Sequence, residues 1–182
     1  PTEAWRSAMT LPRELKLKQV GGELALTNFP VAEVGNIVGS GRSFQPENGQ
    51  AIELTDALVA IDMELDGTSF GGLSISLGNG TDEVVLIDFS DSVVSIDRAK
   101  SGLVGFEKGF AATHDGKLLS DTRPASIRIF VDTSSIEVFV NEGELVMTEV
   151  VFPTQPYDKL VVNWQGGAVV KNVTLSKVEA IR

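Results

Sequence analysis

The chain has 182 residues, a formal net charge of −10 and no cysteine. It is long enough for one domain with a sizeable core, and too acidic, with no basic run, for a surface that tracks nucleic-acid phosphates. Without cysteine there is neither a disulfide framework nor a thiolate metal site, and no apolar run reaches the length of a membrane span.

Residues 1–10 read as a lead-in to a domain that occupies 11–182. Trp5, Met9 and Leu11 have no periodic element around them, and Pro12 bars a continuing helix. These three side chains are expected to pack on a neighbouring domain. Leu15 and Leu17, then Leu24 and Leu26, alternate across Gly21-Gly22, which predicts a first hairpin. Asn28 to Val31 leads into a weak strand ending near Val38, and the Gly-, Ser- and Asn-rich stretch 39–49 reads as a loop. Val59, Ile61, Met63 and Leu65 alternate cleanly. Leu73, Ile75 and Leu77 follow, then 85–89 and Val94 with Ile96, separated by turns at Gly78-Asn79-Gly80 and 90–92. Residues 99–124 form the longest irregular stretch, with His114-Asp115-Gly116 read as a turn.

Residues 126–141 carry the strongest signal. Ile127, Ile129 and Val131 alternate with polar residues and Phe130; Ile136, Val138 and Val140 do the same after Thr133-Ser134. A turn pairing Val131 with Ile136 puts Ile129 opposite Val138 and Ile127 opposite Val140, so every β-branched side chain shares one face. A slip of one residue would turn one strand's apolar set to water. On the other face Arg128 and Glu137 lie diagonally and are expected to pair. That exposed pair would be worth less than about 1 kcal/mol. Beyond the turn at Asn141-Glu142-Gly143, Leu145 and Met147 continue the inward face. Glu149 breaks the phase, which suggests a bulge. Leu160 to Trp164 and Val169 to Val178 supply the last strands. About a dozen short strands and no long amphipathic helix indicate an all-β fold: a two-sheet antiparallel sandwich of the concanavalin/lectin-like jelly-roll kind.

Catalysis finds little support. Asp132 and Glu137 lie near one another, but Asp132 reads as a turn residue and Glu137 as the partner of Arg128. The single histidine, His114, has no nucleophile elbow to serve. Acids in loops at Asp88, Asp91 and 78–82 read as solvated rather than as a calcium site, and no pattern calls for a cofactor. The triplets Asn79-Gly80-Thr81 and Asn172-Val173-Thr174 have glycosylation form, yet such triplets are frequent by chance. Sugar binding is the alternative chemistry. Phe130, Phe139, Tyr157 and Trp164 are candidate stacking rings, with Arg128, Asp132 and Glu137 as polar partners. The competing reading has both phenylalanines covered and Trp164 in the core.

The run Ile129 to Gly143, followed by Met147-Thr148 and Phe152-Pro153, closely resembles the C-terminal β-sandwich of glycoside hydrolase family 32, which includes invertases, inulinases and levanases. Trp5 to Leu15 resembles the segment leading out of that family's catalytic propeller. Ile96-Asp97-Arg98, Ser101-Gly102 and Phe106 agree. The resemblance implies a secreted, non-catalytic domain partnered with a catalytic β-propeller in the same polypeptide and present to stabilise it. The family's catalytic carboxylates stand on the propeller, in motifs this sequence lacks. An autonomous module binding fructan or fructose is the other function the resemblance leaves open.

Overall fold

The alternating runs resolve into fourteen strands among the residues that the computed structural model describes, namely 1–2, 8–66, 71–90, 92–119 and 125–180. Trp5 and Asp91 lie outside the described residues. β1 (Arg13–Val20) and β2 (Glu23–Pro30) form a two-stranded ribbon of their own. A 3-10 helix at Ala32–Ile37 replaces the expected weak strand. Gly35 and Asn36 favour a turn over a strand there, and the turn drops Val34 into the interior. β3 (Arg42–Phe44) and β4 (Ala51–Glu53) are short edge strands, the former within the stretch read as loop. β5 (Val59–Leu65), β6 (Leu73–Gly78), β7 (Val84–Ser90) and β8 (Val93–Lys100) follow. β9 (Thr113–Lys117), β10 (Ser126–Val131), β11 (Ser135–Val140), β12 (Leu145–Val150), β13 (Lys159–Asn163) and β14 (Val170–Lys177) complete the chain.

Two six-stranded antiparallel sheets face one another, ordered β12-β11-β10-β5-β14-β3 and β4-β13-β6-β7-β8-β9. In the first, Val131 pairs with Ile136, Ile129 with Val138 and Ile127 with Val140, the register anticipated from alternation. Met147 and Leu145 lie opposite Val138 and Val140. The inward residues of both sheets, among them Ile61, Ile75, Ile87, Ile96, Ile129 and Leu160, make one continuous core. The family of apolar side chains on the outer face of β10 and β11 makes a second: Phe130 and Phe139 sit with Ala60 and Val34 beneath the ribbon and the 3-10 turn. The ribbon rests directly on the β11–β12 turn. Asn28 N donates to Gly143 O at 3.1 Å, and a Cβ at Gly143 (φ +90°) would lie 2.0 Å from Asn28 O. Only glycine fits there.

Two expectations are corrected in this region. His114-Asp115-Gly116 is not a turn but part of β9, an edge strand paired to β8 through Ile96 opposite His114. Its polar side chains suit an edge, and Gly116 lets it pass under the other sheet, since a Cβ would lie 2.9 Å from Leu145 Cδ1 and Met147 Sδ. There is also no bulge at Glu149. β11 and β12 stay in register through Ile136 opposite Glu149 and Ser135 opposite Val150. The inward carboxylate is held by two side chains from the opposite sheet, the Arg98 guanidinium with NH1 at 3.3 Å from Oε2 and the His114 imidazole with Nδ1 at 2.8 Å from Oε1. Paired charge allows a carboxylate at the edge of an apolar layer.

The β6–β7 turn is fastened to the irregular segment that leaves β12. Glu83 accepts from Asn79 Nδ2 at 2.7 Å, Thr154 Oγ1 at 2.7 Å and Thr154 N at 2.9 Å. Asn79 also donates to Gln155 O and accepts from Thr81, so its side chain serves the turn. Burial raises the carboxyl pKa of Glu83, but these hydrogen bonds outweigh it and leave the group below its ordinary 4.5. A pKa depressed on folding stabilises above the unfolded value and loses that contribution as pH falls through the folded one. Glu83→Gln is therefore expected to lower Tm at neutral pH, with the gap to the parent closing as pH drops below 4.5. A gap that stays constant on acidification would refute the assignment.

Candidate functional site

Glu137 is the residue on which the chain's opening segment converges. It sits on the outer face of β11 with its side chain 7% exposed. Oε1 accepts Leu11 N at 2.8 Å, and Oε2 accepts Arg13 NH2 at 2.6 Å. Arg13 also donates to Thr148 Oγ1 on β12 at 2.9 Å and to Asn28 Oδ1 on β2 at 3.2 Å. Its guanidinium lies 5.1 Å from the centroid of Phe139. Val31 N donates to Pro12 O at 3.0 Å. Four segments are thus tied through one ion pair.

The expected Arg128–Glu137 pair is not formed. Arg128 instead bonds Asp62, its direct neighbour on β5, and lies 5.4 Å from the Phe29 ring. β10 has a second flanking strand that supplies a carboxylate level with Arg128, while the cation for Glu137 arrives from β1. Asp132 acts in the turn as expected: its Oδ1 accepts Thr133 N at 2.6 Å, and its N–H donates to Ser135 O at 2.9 Å.

Phe130 and Phe139 are both buried. They meet edge to face at 6.2 Å, and Phe29 caps Phe139 at 5.6 Å. Neither ring of the β10–β11 pair presents an open face of the kind on which a sugar stacks, because the ribbon and the 3-10 turn cover that side. Trp164 packs partly buried against the inter-sheet core. Tyr157 is buried with its hydroxyl donating to Ser101 O at 2.7 Å. Burial, then the charge of Glu83, push its phenol above the ordinary value.

Five of the residues singled out from sequence do come together. Met9, Leu11, Phe130, Asp132 and Glu137 line a groove of about 390 Å³, together with Ile37, Leu58 and Val178. Arg128 and Phe139 do not line it. The groove's lining combines apolar side chains with the carboxylates of Asp132, Glu137 and Glu179, and Glu137 is already engaged by Leu11 and Arg13. Met9 is 98% exposed. Arg13, Asn28, Thr148 and Asp62 were not foreseen. A carboxylate at 137 between two apolar neighbours, on a face also carrying Phe139, was the available signal that a buried cation had to come from elsewhere. Among the described residues, no group of three His, Cys, Asp or Glu side chains is placed to hold a metal.

The family model for the C-terminal part of family 32 glycosyl hydrolases matches residues 33–180. The chain belongs to that family. As a family 32 C-terminal domain it is 32% identical over 166 residues to the extracellular exo-inulinase inuE of Aspergillus niger, covering 85% of this chain and 31% of the relative. It is 28% identical over 196 residues to the levanase of Bacillus subtilis (strain 168), covering 100% of this chain and 28% of that protein. The crystal structure of exo-inulinase from Aspergillus awamori superposes with a TM-score of 0.81 at 28% identity, over 99% of this chain and 37% of that one. Fructan 1-exohydrolase IIa of Cichorium intybus shares the fold with a TM-score of 0.74 at 13% identity. The family 32 domain thus spans about a third of the length of the relatives it matches.

Proposed function

We propose that this chain is the non-catalytic sandwich of a secreted fructan- or sucrose-cleaving hydrolase, and that it stabilises the catalytic β-propeller of the same polypeptide. The observation that carries this reading is the Glu137 clamp. A surface carboxylate needs no such arrangement, whereas a segment that transmits the position of a neighbouring domain does. Leu11 and Arg13 are held to β11, β12 and β2 at once. Met9, just before them, projects its side chain into solvent, where an adjoining domain would cover it. The relatives named exo-inulinase and levanase carry about two thirds of their length beyond the match, which leaves room for that domain.

The two acids that line the groove from β11 and the β10–β11 turn, Glu137 and Asp132, are held in ways that do not suit glycoside cleavage. That chemistry places two carboxyl groups about 5–10 Å apart across the bond, one of them protonated. Glu137 is ion-paired and accepting a backbone N–H, and Asp132 is folded into its turn. The 182-residue chain is therefore expected to release no reducing sugar from sucrose, inulin or levan. Its deletion from the parent polypeptide is expected to lower the Tm of the catalytic domain. Sugar release by the chain alone, abolished in Asp132→Asn, would overturn the proposal, as would saturable levan or inulin binding with no thermal effect of deletion. The latter result would make it an autonomous fructan-binding module.

A further inference from the structure

The ribbon is inside out. In a surface hairpin the apolar side chains normally point to the body of the protein and the charged ones to water. Here Leu15, Leu17, Leu24 and Leu26 are 64%, 70%, 76% and 56% exposed. Leu17 is directly opposite Leu26, and strand alternation puts all four on one face. The other face carries Lys18, which bonds Glu142 at 2.6 Å, beside buried Ala25 and Thr27, whose Oγ1 bonds Lys16 O within the ribbon at 3.2 Å. Four adjacent leucines on a two-stranded platform make a contiguous apolar patch, the kind of surface that marks an interaction site.

Resting on the reading above, we infer that the leucine face of the ribbon is the docking surface for the catalytic domain of the same polypeptide. Three observations choose this occupant. The ribbon lies ahead of residues 33–180, the part matched as the family's C-terminal region, so it stands on the side of the chain from which the rest of such a protein arrives. It lies within the 99% of this chain that superposes on the exo-inulinase structure, so it is part of the shared architecture. The ribbon is tied to the sandwich by Arg13 on Glu137 and by Asn28 N on Gly143 O, with the exposed pair Lys18–Glu142 nearer its tip. The platform is therefore held at a set angle, as docking requires.

The chain has no native cysteine, so a thiol introduced as Leu17→Cys reports its own surroundings. Its maleimide labelling, followed by peptide mass spectrometry, is expected to be slower by at least about tenfold in the full polypeptide than in the 182-residue chain, since labelling then waits on local opening of a covered face. Leu17→Lys/Leu26→Lys is expected to lower the Tm of the full polypeptide and leave that of the 182-residue chain unchanged. Equal labelling rates overturn the inference. Protection in the 182-residue chain itself, with a dimer in sedimentation, also overturns it, because the occupant is then a second copy. Loss of Tm on deleting the 182 residues, together with an unprotected thiol, leaves the stabilising role standing and places its contact elsewhere. Absence of both effects removes the role and the surface together.

Discussion

Ile129→Ala is expected to destabilise the chain by about 2–5 kcal/mol. Ile129 has no exposed surface and stands in a row with Ile61 on β5 and Val138 on β11, both equally buried. Strands hydrogen-bonded on both sides cannot close in on the space left by a lost side chain, so the cavity persists and its cost adds to the lost transfer energy. Denaturant melts should show a lower midpoint with an unchanged slope, because the surface exposed on unfolding stays the same. A loss below about 1 kcal/mol would mean that the three-strand register is wrong.

Glu137→Ala is the second large effect, expected to cost about 2–4 kcal/mol. The expectation from sequence was far smaller, because it gave Glu137 an exposed partner in Arg128. The structure gives it a buried position, the N–H of Leu11 and the guanidinium of Arg13. Removing the carboxylate strands that N–H and a cation whose Nε already lacks a hydrogen-bond partner. Arg13 retains Thr148 and Asn28 and has a route to solvent, which places the figure below that for a fully enclosed pair. A double-mutant cycle with Arg13→Met should show strong coupling, with the double variant more stable than Glu137→Ala alone. Additive losses would show that the pair carries no joint energy.

These two residues also mark where sequence reading succeeds and where it stops. Ile129 was placed correctly, with its cross-strand partner, because a period of two and one buried face leave a single acceptable register. Leu145 and Met147 followed by the same logic. Glu137 was misjudged because its partner comes from β1, far away in the chain, and no local period reports such a contact. The covered state of Phe130 and Phe139 escaped a firm decision for the same reason: what covers them is the ribbon and the 3-10 turn, which alternation in β10 and β11 does not encode. Glu149 shows the opposite error. A charge at an inward position was taken for a break in the strand, when Arg98 and His114 from the facing sheet make that position tenable. The groove was legible only in part. Asp132, Phe130 and Leu11 were named for separate reasons, and the turn of chain at 8–12 is what brought them together.

The placement of β14 bears on how the protein is made. It lies between β5 and β3, pairing Val173 with Met63 on one side and with Phe44 on the other. A ribosome delivers β3 and β5 early and β14 after every other strand of either sheet. Until then β5 can acquire β10 on one side while its other edge stays bare, a row of unpaired amides and carbonyls open to a neighbouring nascent chain. Closing so long a loop is slow. Yield in a producing cell should therefore depend less on the finished molecule's stability than on how that interval is shielded, and slower translation ahead of β14 would lengthen the hazard rather than relieve it.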